Sequence, residues 1–324
     1  MNIYLAPLEG VTGHVFREAY DLLYNDIDKY FTPFLSANDR LNNKTIRELG
    51  LIPNGSSYDR VKLHAPLVPQ ILGNDADKTL ELIKEIKDFA GFDTFNLNFG
   101  CPSGTVTAKG RGSGIFKDLR KMDDFLEKVI SGCESEKVKL SLKTRVGWND
   151  TSEWQEIVKI YAAYPFEEII IHPRVRADMY NGNVRLETFE YAMDNLNVPL
   201  CFNGDIRTVE DYDKLCKLFP SVSSVMIGRG IVRNPSLTGL IKGAPGERGT
   251  EGAASGIRTF IGQLEKSYLE EFKREEHAIM RMKEVWYYLE DYIDGYEKEK
   301  KYLKKAGSLR EYMTFSKLLL NHLP

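Results

Sequence analysis

The sequence is poor in several things, and each scarcity excludes a class of protein. Only four of the 324 residues are cysteine (Cys101, Cys133, Cys201 and Cys216). No two of them stand as C-x-x-C, and none has a histidine at ligand spacing, so neither a metal site nor a disulfide framework is expected. No run approaches the roughly 18 apolar residues of a membrane span. The opening MNIYLAPLEG lacks a basic stretch followed by an apolar core, so no secretion signal is visible and a cytoplasmic setting is expected. Charge of one sign is scarce as well. A net charge of −3 argues against indiscriminate nucleic-acid binding, although a local basic face is compatible with it. Heptads are missing, and a monomer is expected. No G-x-G-x-x-G follows the first apolar run, which ends in Pro7-Leu8-Glu9-Gly10, and this argues against a doubly wound dinucleotide fold.

What is present is ordinary globular material, 42% hydrophobic and 28% charged. Short apolar runs alternate with helical patterns. Strands are expected at Ile3–Leu8, Tyr30–Leu35, Leu67–Leu72, Thr94–Phe99, Val138–Val146, Glu168–Pro173, Pro199–Ile206 and Ser224–Gly230. Many are continuously apolar, as parallel strands covered on both faces are. Helix signals fill the gaps: Thr12 opens TGHVFREAYDLL, Asp75 caps a helix that Gly91 ends, and Thr208 with Asp211 forms a capping box. The stretch 37–65 is polar and reads as loop with at most one short helix. Eight strand–helix units over some 240 residues fit an α/β chain folded as a (β/α)8 TIM barrel, which typically takes about 250.

The expected organisation is a barrel over 1–242, a glycine-rich linker over 243–256 and a small C-terminal α-helical bundle over 257–324, where strand signals vanish. Chemistry in a barrel sits at the C-terminal strand ends. There the sequence puts Pro7, Leu8 and Glu9; Gln70; Asn98 to Pro102; Lys143 and Arg145; His172 to Arg174; Asn203 to Asp205; and Gly228 to Gly230. Polar groups inside apolar strands are costly unless satisfied, so their convergence on one rim calls for a ligand. Glycines after the last two strands, beside Asp205 and Arg229, suit a phosphate.

These segments resemble the tRNA-dihydrouridine synthase family. The matching stretches are LAPLEGVTGHVFR, VPQILG, LNFGCPS, LKTRVGW, IIHPRVRADMYNG, FNGDI and VMIGRG, spanning Leu5 to Gly230 in family order. EGV after the first strand and the GCPSGTV loop are most similar to the C-type bacterial branch. The resemblance implies an FMN-dependent oxidoreductase that reduces the C5–C6 double bond of a D-loop uridine in tRNA, with NADPH as electron donor. It also implies roles by motif. Cys101 is the proton donor. Pro7, Leu8 and Glu9 line the flavin, and Gln70 and Lys143 bond its ring. His172, Asn203, Gly204, Asp205, Gly228 and Arg229 hold its ribityl chain and phosphate. Asn98, Arg145 and Arg174 lie on the substrate side. By charge rather than by motif, Arg281 and Lys283 of the helical domain, together with the lysine-rich run Lys298 to Lys305, are the candidates to grip tRNA phosphates. Leu8 stands where methionine is common, and Pro173 where glycine is usual. The C-type likeness favours position 16. Two rivals are a different FMN barrel acting on a small pyrimidine or enoate, and a non-catalytic RNA-binding barrel. A yellow, flavin-containing protein would exclude the latter.

Overall fold

The computed structural model describes residues 1–55, 57–243, 250–290 and 293–323. Its strands are β1 (Asn2–Leu5), β2 (Tyr30–Phe31), β3 (Leu35–Ser36), β4 (Leu51–Asn54), β5 (Ser57–Arg60), β6 (Leu67–Val68), β7 (Gln70–Leu72), β8 (Thr94–Phe99), β9 (Lys139–Arg145), β10 (Glu168–His172), β11 (Leu200–Phe202) and β12 (Ser224–Ile227). All pairings except β4 with β5 are parallel, in the order β1-β12-β11-β10-β9-β8-β7-β3. The remaining gap closes through β2, which pairs with β6 and bridges Tyr4 of β1 at Lys29. Two of the eight barrel staves are thus interrupted. One breaks at Pro69, which cannot donate to a ladder, and the other around Pro33.

Local signals account for most helix ends. The Asp75 carboxylate accepts the Lys78 N–H, Gly91 takes the left-handed conformation at φ 67°, and the Thr208–Asp211 capping box forms. Thr12 behaves differently. Its hydroxyl donates to the Ala6 carbonyl (2.9 Å) and accepts from the Leu8 N–H (2.7 Å), so it braces the turn after β1, and the helix His14–Leu23 begins after Gly13. The stretch 37–65 holds the short helix Asn43–Glu48 and also the antiparallel hairpin β4–β5, whose exposed strands lack an apolar alternation to announce them.

The C-terminal helices span Thr250–Glu271, Glu275–Leu289, Glu297–Lys305 and Leu309–Leu320. Residues 244–249 of the expected linker lie outside the described residues. Its second half is helical from Thr250, so the linker boundary at 256 is corrected: Ala254 is buried, and a Cβ on Gly256 would meet Ser236 at 2.5 Å, so small residues there let the helix pack against the barrel. Phe260, fully buried, meets Phe16 and Tyr20 of the helix His14–Leu23, and Tyr24 that follows it, at ring-centroid distances of 5.1, 5.8 and 6.1 Å. Burying one such ring contributes on the order of 2–3 kcal/mol.

An ionic clamp reinforces that seam. His14 lies between Glu48 of the barrel (Nδ1–Oε1 3.6 Å) and Glu271 of the first C-terminal helix (Nε2–Oε1 3.5 Å). Arg17 supports Glu48 at 3.1 Å, and Arg47 supports Glu271 at 2.6 Å. Burial opposes charge on His14, but the two carboxylates outweigh it and raise its pKa to about 9. Burial would likewise raise Glu48, yet His14 and Arg17 bring it down to about 2. A raised histidine stabilises the fold fully below its unfolded value near 6.5, and that contribution fades as pH climbs through about 9. The depressed Glu48 contributes above about 4.5 and fades toward pH 2. We therefore expect His14→Gln to cost up to about 3 kcal/mol at pH 6, with the deficit shrinking by pH 9.5. Urea melts of both proteins across that range test this, and a deficit independent of pH would contradict it.

Candidate active site

The barrel interior is polar where the strand alternation says it should be. Side chains two apart in a strand share a face, so Asn96 and Asn98 of β8 face inward together, as do Ser141, Lys143 and Arg145 of β9. Register sets Gln70 opposite Asn96, Asn98 opposite Lys143, and Arg145 opposite His172. A chain of amides crosses the staves. Asn98 Nδ2 donates to Gln70 Oε1 (2.7 Å), Gln70 Nε2 to Asn96 Oδ1 (2.8 Å), and Asn96 Nδ2 to Ser141 Oγ (2.9 Å). Gln70 is therefore tied into this internal chain, which fixes the orientation of its amide.

The same chain holds Cys101. Asn98 Oδ1 accepts both the Gly100 and the Cys101 N–H, at 3.0 and 2.9 Å. Asn98 thus positions the cysteine loop through its carbonyl. The Cys101 carbonyl accepts the backbone N–H (3.0 Å) and the hydroxyl (2.8 Å) of fully buried Ser113. Gly112 sits at φ 56°, and a Cβ there would lie 2.7 Å from the Cys101 carbonyl oxygen, so only glycine fits. The half-buried Cys101 thiol is pushed up by burial. A backbone N–H from Ser103 opposes that, as do the charges of Arg145 and Lys143, while Glu9 adds to it. The net result is a protonated thiol at neutral pH.

Below the cysteine lies a cationic floor. Lys143 has no acidic partner among the described residues, and burial followed by Arg145 lowers its pKa to about 8. Arg145 is buried and holds loop carbonyls: Gly100 through Nε (3.0 Å), Val175 through Nη1 (2.8 Å) and Met179 through Nη2. These bonds tie the loops after β8 and β10 together. Arg174, also expected on the substrate side, is 1% exposed and spent internally. It pairs with Asp205, bonds the carbonyls of Asn181 and Gly182, and donates to His172 Nε2 at 3.1 Å. With Nε2 accepting, the ring proton sits on Nδ1. Burial and the four surrounding cations, Arg145, Lys143, Arg174 and Arg229, keep His172 neutral.

Asp205 is the hub of the phosphate-like end. It pairs with Arg174, with Arg229 (2.7 Å) and more distantly with Arg207 (4.0 Å), three guanidiniums against one carboxylate. Asn203 donates to the Met226 carbonyl (2.8 Å) between β11 and β12. A Cβ on Gly204 would meet Val184 at 2.8 Å, and one on Gly228 would meet Ala6 at 3.1 Å, so both glycines permit close loop approach. Pro7 and Leu8 are half-buried after β1, whereas Glu9 is exposed at the mouth and faces Lys44 at 3.5 Å. An unpaired lysine on the floor and excess guanidinium at one end form a donor set that fits a flat, anionic, phosphorylated group. Tyr180, which the sequence reading passed over, roofs the site. Its ring lies 5.4 Å from Arg145 and 5.5 Å from Arg229, and it is 49% exposed. Strict i, i+2 polar spacing could have singled out Asn96 and Ser141. Nothing local marks Tyr180 or Ser113.

The two residues expected to grip RNA from the helical domain also make contacts within the protein. Arg281 Nη1 donates to the Gly10 carbonyl (3.1 Å) and to Glu284 (2.9 Å), docking its helix on the rim after β1. Lys283 donates to the Ala306 carbonyl at the end of the helix Glu297–Lys305. In the lysine-rich run, Lys300 pairs with Glu297 and Lys304 with Glu290. Trp286 is core, its Nε1 on the Tyr312 hydroxyl at 2.8 Å.

Residues 4–319 match the family model described as "Dihydrouridine synthase (Dus)". The tRNA-dihydrouridine(16) synthase of Neisseria meningitidis serogroup B is 28% identical over 74% of this chain and 71% of its own. A probable tRNA-dihydrouridine synthase of Staphylococcus epidermidis is 30% identical over 71% and 69% respectively. Among solved structures, a morphinone reductase variant in complex with tetrahydroNAD shares the fold, with a TM-score of 0.50 and 8% identity over 74% of this chain and 86% of that one.

Proposed function

The chain belongs to the dihydrouridine synthase family, and from that premise we propose that it reduces the C5–C6 double bond of a D-loop uridine in tRNA to 5,6-dihydrouridine. The observation that carries the reading is the pairing of a protonated thiol, Cys101, with a partnerless lysine, Lys143, on the floor of one mouth. FMN is the cofactor this donor set suits. Lys143 would hold the electron-rich edge of its ring. Pro7 and Leu8 would cover its apolar face. Arg229 and Arg207, with Asp205 aligning them and Asn203, Gly204 and Gly228 allowing close approach, would hold its phosphate. What that cofactor supplies when bound is a hydride for C6 of the uracil, renewed by NADPH.

The protein's own chemistry is to finish the reduction. Negative charge left on the base is quenched at C5 by the proton on Cys101 Sγ, so one hydride and one proton account for both added hydrogens. The resulting thiolate is stabilised by Arg145 and Lys143, whose charges both act on it, and its half-exposed position allows a fresh proton to arrive from solvent. Asn98, Ser113 and Gly112 keep the sulfur at its station. The uridine must leave its stack to reach the mouth, where Tyr180 offers an exposed ring.

Names of similar proteins specify position 16, which supports that site here as well. Mass spectrometry of tRNA from a strain lacking the gene tests the reading. The two-hydrogen increment should vanish from one D-loop uridine, with position 16 expected, and an unchanged tRNA would refute it.

A further inference from the structure

Arg281 and Lys283 make contacts within the protein, and a further group of cations stands on the rim after β8, β9 and β10. Trp148 follows β9, and two cations lie over its ring: Lys117 Nζ at 4.5 Å from the centroid and the Arg176 guanidinium at 4.7 Å. Neither has an acidic partner among the described residues. Lys117 is exposed and touches only the Thr107 carbonyl (3.3 Å). Arg176 carries a buried Nε with no hydrogen-bond acceptor. Acids on the same loops are committed: Glu153 accepts the Trp148 N–H at 2.6 Å, and Asp178 holds Arg185 and the Val175 N–H. Two like charges thus stand within about 9 Å of each other with no counter-charge, roughly one Debye length in physiological salt.

From this we infer that the Lys117–Trp148–Arg176 face is a tRNA-docking surface, where the indole holds Lys117 and Arg176 in place and each takes a backbone phosphate. The reading rests on the proposed tRNA substrate. RNA is favoured over a free anion because two cations set apart on one face, neither with an acidic partner among the described residues, can take two phosphates of one backbone, whereas a small anion meets only one. Its position fits as well. Trp148 belongs to the fifth strand–helix unit, diametrically across an eight-stave barrel from the first, where the helical domain docks through Gly10 and the helix His14–Leu23. A tRNA bridging the mouth would be held on both banks, with the extruded base between them over Cys101.

The test is the charge-reversed pair K117E/R176E in the full-length holoenzyme, beside K214E/K217E on the outer helix Val209–Leu218 as a control for general electrostatics. Affinity for tRNA is read by fluorescence anisotropy and dihydrouridine formation by mass spectrometry. We expect at least a tenfold loss of tRNA affinity and a matching rise in KM, with kcat and flavin content unchanged. The slope of log affinity against log salt should become shallower by about 1.5–2. The neutral pair K117Q/R176Q should lose less affinity. An affinity and salt slope equal to those of the control would overturn the inference. A wild-type protein that binds tRNA through this face but reduces no uridine would overturn the proposed function instead and leave the docking surface standing.

Discussion

Replacing Cys101 with alanine should slow uridine reduction by a factor of about 10²–10⁴, the usual worth of a positioned general acid. Flavin content and the consumption of NADPH in the absence of tRNA should stay at wild-type levels, because Cys101 makes no contact that shapes the floor around Lys143. Serine should rescue little. A hydroxyl keeps the geometry but gives up its proton far less readily than a thiol. The pH profile adds a second reading. Burial raises this thiol above the ordinary value near 9, despite the opposing pull of Arg145 and Lys143. The rate should therefore hold through neutral pH and fail on the alkaline side later than an unperturbed cysteine would. Single-turnover reduction of a tRNA substrate measures both. A C101A enzyme working within threefold of wild type would remove the cysteine from the mechanism.

The eight staves and their polar tips were legible because both rest on short-range rules. Continuous apolar runs such as EIIIH at Glu168–His172 mark strands covered on both faces, and charged residues at their ends stand out against them. What was not legible was where each polar atom spends its hydrogen bonds. Arg145 and Arg174 read as free cations, yet their donors end on backbone carbonyls of Val175, Asn181 and Gly182, and every residue type carries such a carbonyl. The same holds for Arg281 on Gly10 and Lys283 on Ala306. Residue type reports that a cation is present, and only the fold reports whether it is already satisfied. The hairpin β4–β5 was missed for a related reason. Its residues are mostly exposed, so burial imposes no alternation on them. Several cations placed at strand ends hold loops, whereas Lys117 and Arg176, with no acidic partner among the described residues, flank a tryptophan that read as part of a motif.

Lys143→Met should then remove the one floor cation whose partner is missing, and with it about ten- to a hundredfold of FMN affinity, the range of a hydrogen bond to a charged group. The pH dependence separates this from simple loss of packing. Burial, with Arg145 behind it, brings Lys143 to about 8 in the cofactor-free protein. A bound electron-rich edge favours the protonated form, so wild-type affinity should be flat from pH 6 to about 7.5 and fall above 8, approaching tenfold per unit. The methionine variant should show no such fall. Stability of the cofactor-free protein should move the opposite way. A lysine depressed from 10.5 to about 8 leaves the unfolded chain holding more protons than the native one between those values. Wild-type stability therefore gains as pH rises through that window, and the variant should lack the gain. Apoprotein reconstitution titrations and urea melts across pH 6–10.5 read the two effects independently. If affinity stays flat through pH 9 while stability rises, Lys143 is buried as described but does not touch the flavin. If neither changes, the lysine is not buried on the floor, and the assignment of that floor to a flavin loses its anchor.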